Sequence, residues 1–147
     1  MADSYPVLLK KAIAADLDAN GLAVYQPTTA YTNASTAVLP GVVTAGPELP
    51  TTFDRCIVLT TLTPFDEGRG NRVTPVQFTT RLKGGRTDAE NQFEELRDHY
   101  HDRHNVLLGG LSFQKVLLNS SLFISADTQG RTGYFLTFHF SGRYIVP

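Results

Sequence analysis

At 147 residues the chain has room for one domain with a single moderate core. Its formal net charge of −1 supplies no overall field toward nucleic-acid phosphates or an anionic membrane, which argues against a dedicated nucleic-acid binder. The lone Cys56 rules out an intrachain disulfide, apolar helical stretches stop well short of membrane length, and the N-terminus lacks a secretory layout, so synthesis in the cytoplasm is expected.

The first helix is expected from about Tyr5 to Asn20. Pro6 suits a first turn, where its missing N–H is no loss, and Asn20-Gly21 is a left-handed stop. Leu9, Ile13 and Leu17 recur every four residues with Ala12 beside them, giving one apolar stripe, while Asp3, Lys10 and Asp18 stay wet. Leu22 to Gln26 reads as a short strand closed by Pro27. From Ala19 to Pro47 the chain carries no charge, and Val38-Leu39 and Val42-Val43 are its only short apolar pairs between prolines 27, 40 and 47. This composition is too neutral for a solvated disordered segment, and the apolar runs are too short for a core strand. Residues from about 27 to 54 are therefore expected to form an extended arm buried somewhere, such as on a neighbouring subunit. The alternative is an ordinary surface loop.

Arg55 to Leu62 is an almost continuous β-branched and apolar run, the pattern of a central strand covered on both faces, and Cys56 within it reads as a packing thiol. Pro64 and the stretch Asp66 to Asn71 make a loop. In the next strand Val76, Phe78, Thr80 and Leu82 face one way and Gln77, Thr79, Arg81 and Lys83 the other, until Gly84-Gly85 ends it. Thr87 and Glu90 stand in capping-box spacing and open a second helix with the inner stripe Ala89, Phe93, Leu96 and Tyr100. Two strands close the chain, about Leu111 to Leu118 and Thr132 to Arg143, separated by Leu122-Phe123-Ile124 and the turn Asp127 to Gly130. In the last one Tyr134, Leu136, Phe138 and Phe140 share a face opposite Phe135, Thr137, His139 and Ser141. The order predicts a single α+β domain: a mainly antiparallel sheet of about five strands flanked by two helices, with a long proline-containing arm.

Chemistry-bearing motifs are sparse. Asp98-His99-Tyr100-His101-Asp102-Arg103-His104 offers three imidazoles, and a small metal-binding enzyme domain using His99, His101 and His104 is one alternative. Read as a helix end, the stretch puts His101 and His104 on one face and His99 on another, no His-Glu-x-x-His pairing occurs, and protonatable groups suit a helix C-terminus on electrostatic grounds alone. A solvated cluster is the simpler reading. Ser120-Ser121 lack a nucleophile elbow, and Gly68-Arg69-Gly70 and Gly84-Gly85-Arg86 lack the Gly-Lys-Ser/Thr ending of a phosphate loop. His139 sits on a strand with no indicated nucleophile. No catalytic residue, cofactor site or metal site is expected.

Charge distribution is more informative. Arg69, Arg72, Arg81, Lys83 and Arg86 fall in a stretch without acids, and the next helix carries Asp88, Glu90, Glu94, Glu95, Asp98 and Asp102 against Arg97 and Arg103. Two solvated faces would explain this. Alternatively, the basic hairpin of one copy meets the acidic helix of the next, a head-to-tail contact that closes into a ring. On that alternative, reversing Arg81 and Arg86 to Glu yields monomers in size-exclusion chromatography; unchanged rings would remove it.

Gly21-Leu22-Ala23-Val24-Tyr25, the proline-rich arm, Asp54-Arg55-Cys56-Ile57-Val58-Leu59-Thr60 and Val76-Gln77-Phe78-Thr79-Thr80-Arg81 follow one another in a telling order. A helix over Ala89 to Tyr100, the turn Gln129-Gly130-Arg131 and the aromatic strand Tyr134 to Tyr144 complete it. Over almost its whole length the chain thus resembles the tail terminator, or minor capsid, proteins of long-tailed (siphovirus) bacteriophages. The resemblance implies a hexameric ring at the tail-neck junction of the virion, assembled in the bacterial cytoplasm. Such a ring caps the tail tube, stops its polymerisation and joins it to the head-closure or stopper connector, while genome DNA passes through its channel. The resemblance implies no metal, nucleotide or substrate. It carries over no contact residue; Arg69, Arg72, Arg81, Lys83 and Arg86 are the interface candidates on charge alone. A head-closure or adaptor protein of the same neck is the nearest alternative, although strand-rich composition favours the terminator. A ligand-binding α+β module would need an apolar pocket.

Overall fold

The computed structural model describes residues 4–25, 37–39, 55–68, 71–128 and 130–143. Helix α1 runs Tyr5–Ala19, entered from an extended Ser4 with proline in its first turn, and Asn20 and a left-handed Gly21 (φ 71°) end it. Its stripe of Leu9, Ala12, Ile13, Ala14 and Leu17 is buried, as the four-residue spacing predicts. No strand follows at Leu22–Tyr25, where Val24 makes only an isolated bridge. The backbone donors there are already engaged: Leu22 N–H donates to the Leu17 carbonyl (2.9 Å) and Tyr25 N–H to the Asp18 carboxylate (3.4 Å). The segment closes the helix instead of joining the sheet.

Within the expected arm, Ala37–Leu39 is a short strand, β1; the rest of 27–54 lies outside the described residues apart from these three. β1 pairs in parallel with β2 (Cys56–Thr61), so this part of the arm joins the sheet of its own chain. β2 pairs antiparallel with β4 (Asn71–Lys83), the long strand whose Val76, Phe78, Thr80 and Leu82 are buried. The loop expected after Pro64 is partly a strand. β3 (Phe65–Gly68) lies against the first residues of β4, because β4 starts five residues earlier than its clean alternation and offers an edge there.

Helix α2 (Arg86–Tyr100) buries Ala89, Leu96 and Tyr100 and half-buries Phe93. Its N-cap is Gly85, with no side-chain cap, so the expected Thr87–Glu90 capping box does not form. Glu90 is taken by the Arg86 guanidinium at 3.0 Å instead. The chain then reverses through Asp102 (φ 60°) into β5 (Arg103–Leu108), a strand that the expectation of a longer helix end had hidden. β6 (Leu111–Ile124) and β7 (Arg131–Arg143) follow. A bulge between Leu118 and Ser120 lets β6 continue through Leu122-Phe123-Ile124 rather than stop at Leu118.

The strands form one sheet in the order β1-β2-β4-β7-β6-β5, with β3 beside β4. The α+β architecture is therefore as expected, with more strands. Ile57, Leu59, Val76, Phe78, Leu136, Phe138 and Phe140 on one face pack with buried residues of both helices in a single core. Phe78 and Phe138 meet edge-on at 5.2 Å and Tyr100 stands edge-on to Phe78 at 5.4 Å, arrangements that add to burial of the rings. β4 and β7 come unusually close near Gly133. There the Thr80 hydroxyl enters the ladder, accepting from Tyr134 N–H at 2.9 Å and lying 3.3 Å from the Tyr134 carbonyl. Among the described residues no helix is long and apolar enough to cross a membrane.

Candidate functional site

The sheet separates the basic candidates. Arg69 lies outside the described residues. Arg72 is half-buried at the start of β4, opposite Asp66 on β3 and Gly142 on β7. Arg81 stands nine residues further along the same strand, about 30 Å away, and alternation puts it on the other face, opposite Cys56. Lys83 is exposed at the last position of β4. Arg86 is exposed, bound to Glu90 and with its guanidinium 4.6 Å from the Phe123 ring centre. Among the described residues, Arg72, Arg81, Lys83 and Arg86 do not form a single basic patch.

Part of the expected charge complementarity is met inside one copy. Lys83 and Arg55 line a polar groove of 280 Å3 together with Asp88, Asn91, Gln92 and Glu95 of α2. The basic end of β4 thus faces acids of its own helix, because Gly84-Gly85 turns the chain straight back over the strand. Glu94 and Asp98 remain on the exposed side of α2.

The histidine-rich stretch is divided among separate partners. His99 Nε2 lies 2.7 Å from Asp16 Oδ2, and Tyr100 O–H donates to the same oxygen at 2.9 Å. Asn20 Nδ2 donates to Asp16 Oδ1 at 3.2 Å, and Arg103 approaches His99 at 3.4 Å. His101, at the helix C-cap, accepts the Leu118 N–H at 2.9 Å through Nδ1, and His104 Nε2 meets Asp102 at 3.1 Å in solvent. His101 and His104 do not share a helix face, since the helix has already ended at Tyr100. Nor is His99 solvated, its side chain being only 19% exposed. Among the described residues no group of three His, Cys, Asp or Glu is placed to hold a metal ion.

Burial alone would push the Asp16 carboxyl up, but hydrogen bonds from His99 and Tyr100, with the charges of His99 and Arg103, outweigh it and hold the group below its ordinary value. Burial, then the Asp16 charge and hydrogen bond, drive the Tyr100 hydroxyl upward. This carboxylate ties α1 to α2, and its signal was present in the chain: Asp16 falls in the helical row Leu9, Ala12, Ile13, Leu17, where an acid is out of place. Burial likewise raises the Cys56 thiol to about 11 against the opposing charges of Arg81 and Arg131, which suits a packing role.

The face opposite the helices is uneven. Cys56, Val58 and Thr79 are buried on it, but toward β6 it opens into a shallow depression of 380 Å3 bordered by Gln77, Ser120, Leu122, Phe135 and Thr137. Leu122 is 64% exposed there, and no charged side chain borders the depression. Beside it Phe65 of β3 stands edge-on to His139 at 5.7 Å. Sequence alternation placed Phe135, Thr137 and His139 on this face but missed Leu122, because the bulge that aligns it with Phe135 depends on pairing with β7. No family model matches the chain, and no curated protein matches it significantly.

Proposed function

We propose that the chain is the tail terminator of a long-tailed bacteriophage: a ring-forming structural protein without catalytic chemistry of its own. It caps the tail tube, ends tube polymerisation and offers its other side to the head-closure connector, with the genome passing through the ring. One observation supports the reading beyond the sequence resemblance. Both helices lie on one side of the sheet, and on the other side the depression bordered by Gln77, Ser120, Leu122, Phe135 and Thr137 is uncharged and partly apolar, with Leu122 largely in solvent. An open sheet face of that kind gains stability by being covered, and a repeating assembly covers it. The cis groove of Lys83 and Arg55 with α2 lowers the share that ionic contacts between copies can contribute. A neck adaptor of another type would use the same kinds of surface.

Negative-stain imaging of the purified protein, alone and with tail tubes, tests this. Six-fold rings seated on one end of each tube, and tubes of uniform length when the protein is present during their growth, are expected. Tubes that lengthen without limit in its presence, with no rings on their ends, would refute it.

A further inference from the structure

We infer that the uncovered edge of β6, Asn119–Ile124, pairs antiparallel with the same edge of a second copy about a two-fold axis that sets Leu122 opposite its counterpart. This goes beyond the ring reading: it describes the free chain and does not depend on what that chain later joins. β5 runs beside β6 only along Leu111–Val116, and the last bond on that side goes from Leu118 N–H to His101 Nδ1. Beyond it, among the described residues, no strand lies beside β6 on the side away from β7. Asn119, Ser120, Ser121 and Leu122 are all exposed. From Val116 to Ala126 the sequence holds neither a charge nor a proline, the usual devices by which an edge refuses another strand.

The backbone shows which groups this edge offers. Tyr134 N–H donates to the Thr80 hydroxyl of β4, and the Tyr134 carbonyl lies 3.3 Å from the same hydroxyl, so both backbone groups of Tyr134 turn toward β4. Phe123 stands opposite Tyr134 in the β6–β7 ladder and is therefore a non-hydrogen-bonded pair with it, its own N–H and C=O turned outward. Ser121, two residues back, turns the same way, whereas Leu122 between them bonds to β7.

A second copy of this edge satisfies that pattern. With the two-fold axis perpendicular to the sheet at Leu122, Ser121 of each copy exchanges both backbone bonds with Phe123 of the other. The two Leu122 residues then form a non-hydrogen-bonded pair, the closer of the two kinds, and cover the side chain that stands 64% exposed in one copy. No like charges meet across the axis, because the paired stretch has none. The strand is already held extended by β7, so pairing carries little ordering cost, unlike capture of a loose peptide. The axis keeps both copies' helices on one side of a continuous sheet and brings their two Leu122 depressions together on the other.

Disulfide trapping in the full chain tests this. Leu122→Cys and Leu107→Cys chains are oxidised with diamide in separate samples; Cys56 is buried, with its thiol raised to about 11, and stays out of the reaction. Leu107 is the more exposed of the two at 71%, but it lies on β5, an edge that Arg103 and His104 guard. Random collision thus favours Leu107→Cys, and the pairing favours Leu122→Cys. The expected disulfide dimer is roughly tenfold more abundant from Leu122→Cys. In sedimentation equilibrium without tubes the unmodified protein is expected as two chains, Leu122→Lys as one, and Leu122→Lys mixed with Leu122→Glu as two again. Urea midpoints check that these variants fold, and the cysteine comparison decides alone if they do not. Leu122→Cys dimer at or below the Leu107→Cys level, or a folded Lys/Glu mixture that stays as single chains, overturns the inference. Six-chain particles whose Leu122→Cys form does not cross-link remove the pair and leave the ring.

Discussion

Asp16→Ala lowers the free energy of unfolding by about 3 kcal/mol, measured by urea denaturation. Two close bonds end on this one carboxylate, from His99 at 2.7 Å and from the Tyr100 hydroxyl at 2.9 Å. Hydrogen bonds to a charged group contribute about 1.5–3 kcal/mol each, and their loss here leaves a hydroxyl on a fully buried ring without its acceptor. Asp16→Asn keeps an acceptor oxygen and costs less, about 1–2 kcal/mol, because the charge assistance goes but the geometry stays. The same site fixes a pH dependence. Asp16 has a lowered folded-state pKa, so its contribution is fully present above the unfolded-state value and is lost as pH falls through the folded-state one. The wild-type protein therefore loses stability below about pH 4 more steeply than Asp16→Asn. Parallel acid curves for the two would show that the carboxylate does not link the helices in this way.

Gly133→Ala destabilises the protein by at least ~3 kcal/mol, read as a drop in the denaturation midpoint at unchanged slope. A Cβ at Gly133 would run into the Thr80 carbonyl and crowd the Arg81 nitrogen, all backbone of β4. A flexible side chain could swing away; a central strand cannot. β7 is held on its other side by β6, so the two strands cannot separate without disturbing both ladders. The usual gain from replacing glycine, about 0.4–1 kcal/mol through the unfolded chain, is too small to compensate. Gly85→Ala is the control: an added methyl there meets nothing within 4 Å, and the cost stays near ~1 kcal/mol, that of a poorer N-cap. A Gly133→Ala midpoint matching that of Gly85→Ala would mean that β4 and β7 do not approach so closely.

For the proposed assembly, charge in the sequence alone does not define one contact surface. The run from Arg69 to Arg86 carries five basic residues and no acid, yet Arg72 and Arg81 lie on opposite faces of β4 and about 30 Å apart along it. Among the described residues an uncharged, partly apolar surface lies around Leu122, which is largely exposed. In the sequence Ser120-Ser121 and Leu122-Phe123-Ile124 read only as a connection between the last two strands, because no local pattern shows that β6 continues through them.

What the residues determined by themselves was whatever depends on local period. The stripe of Leu9, Ile13 and Leu17 and the alternation of Val76, Phe78, Thr80 and Leu82 each need only their own neighbours to declare a buried face, and both faces are buried as read. Together they gave the α+β class. What only the tertiary structure decided was whatever depends on a partner far along the chain. β3 and β5 are strands because β4 and β6 present edges to them, not because Phe65–Gly68 or Arg103–Leu108 alternate cleanly. Asp16 finds His99 across 83 residues of sequence, and Lys83 finds the acids of α2 through a two-glycine turn. Backbone pairing and charge neutralisation act between surfaces brought together by the sheet, and a linear pattern holds no record of which surfaces those are.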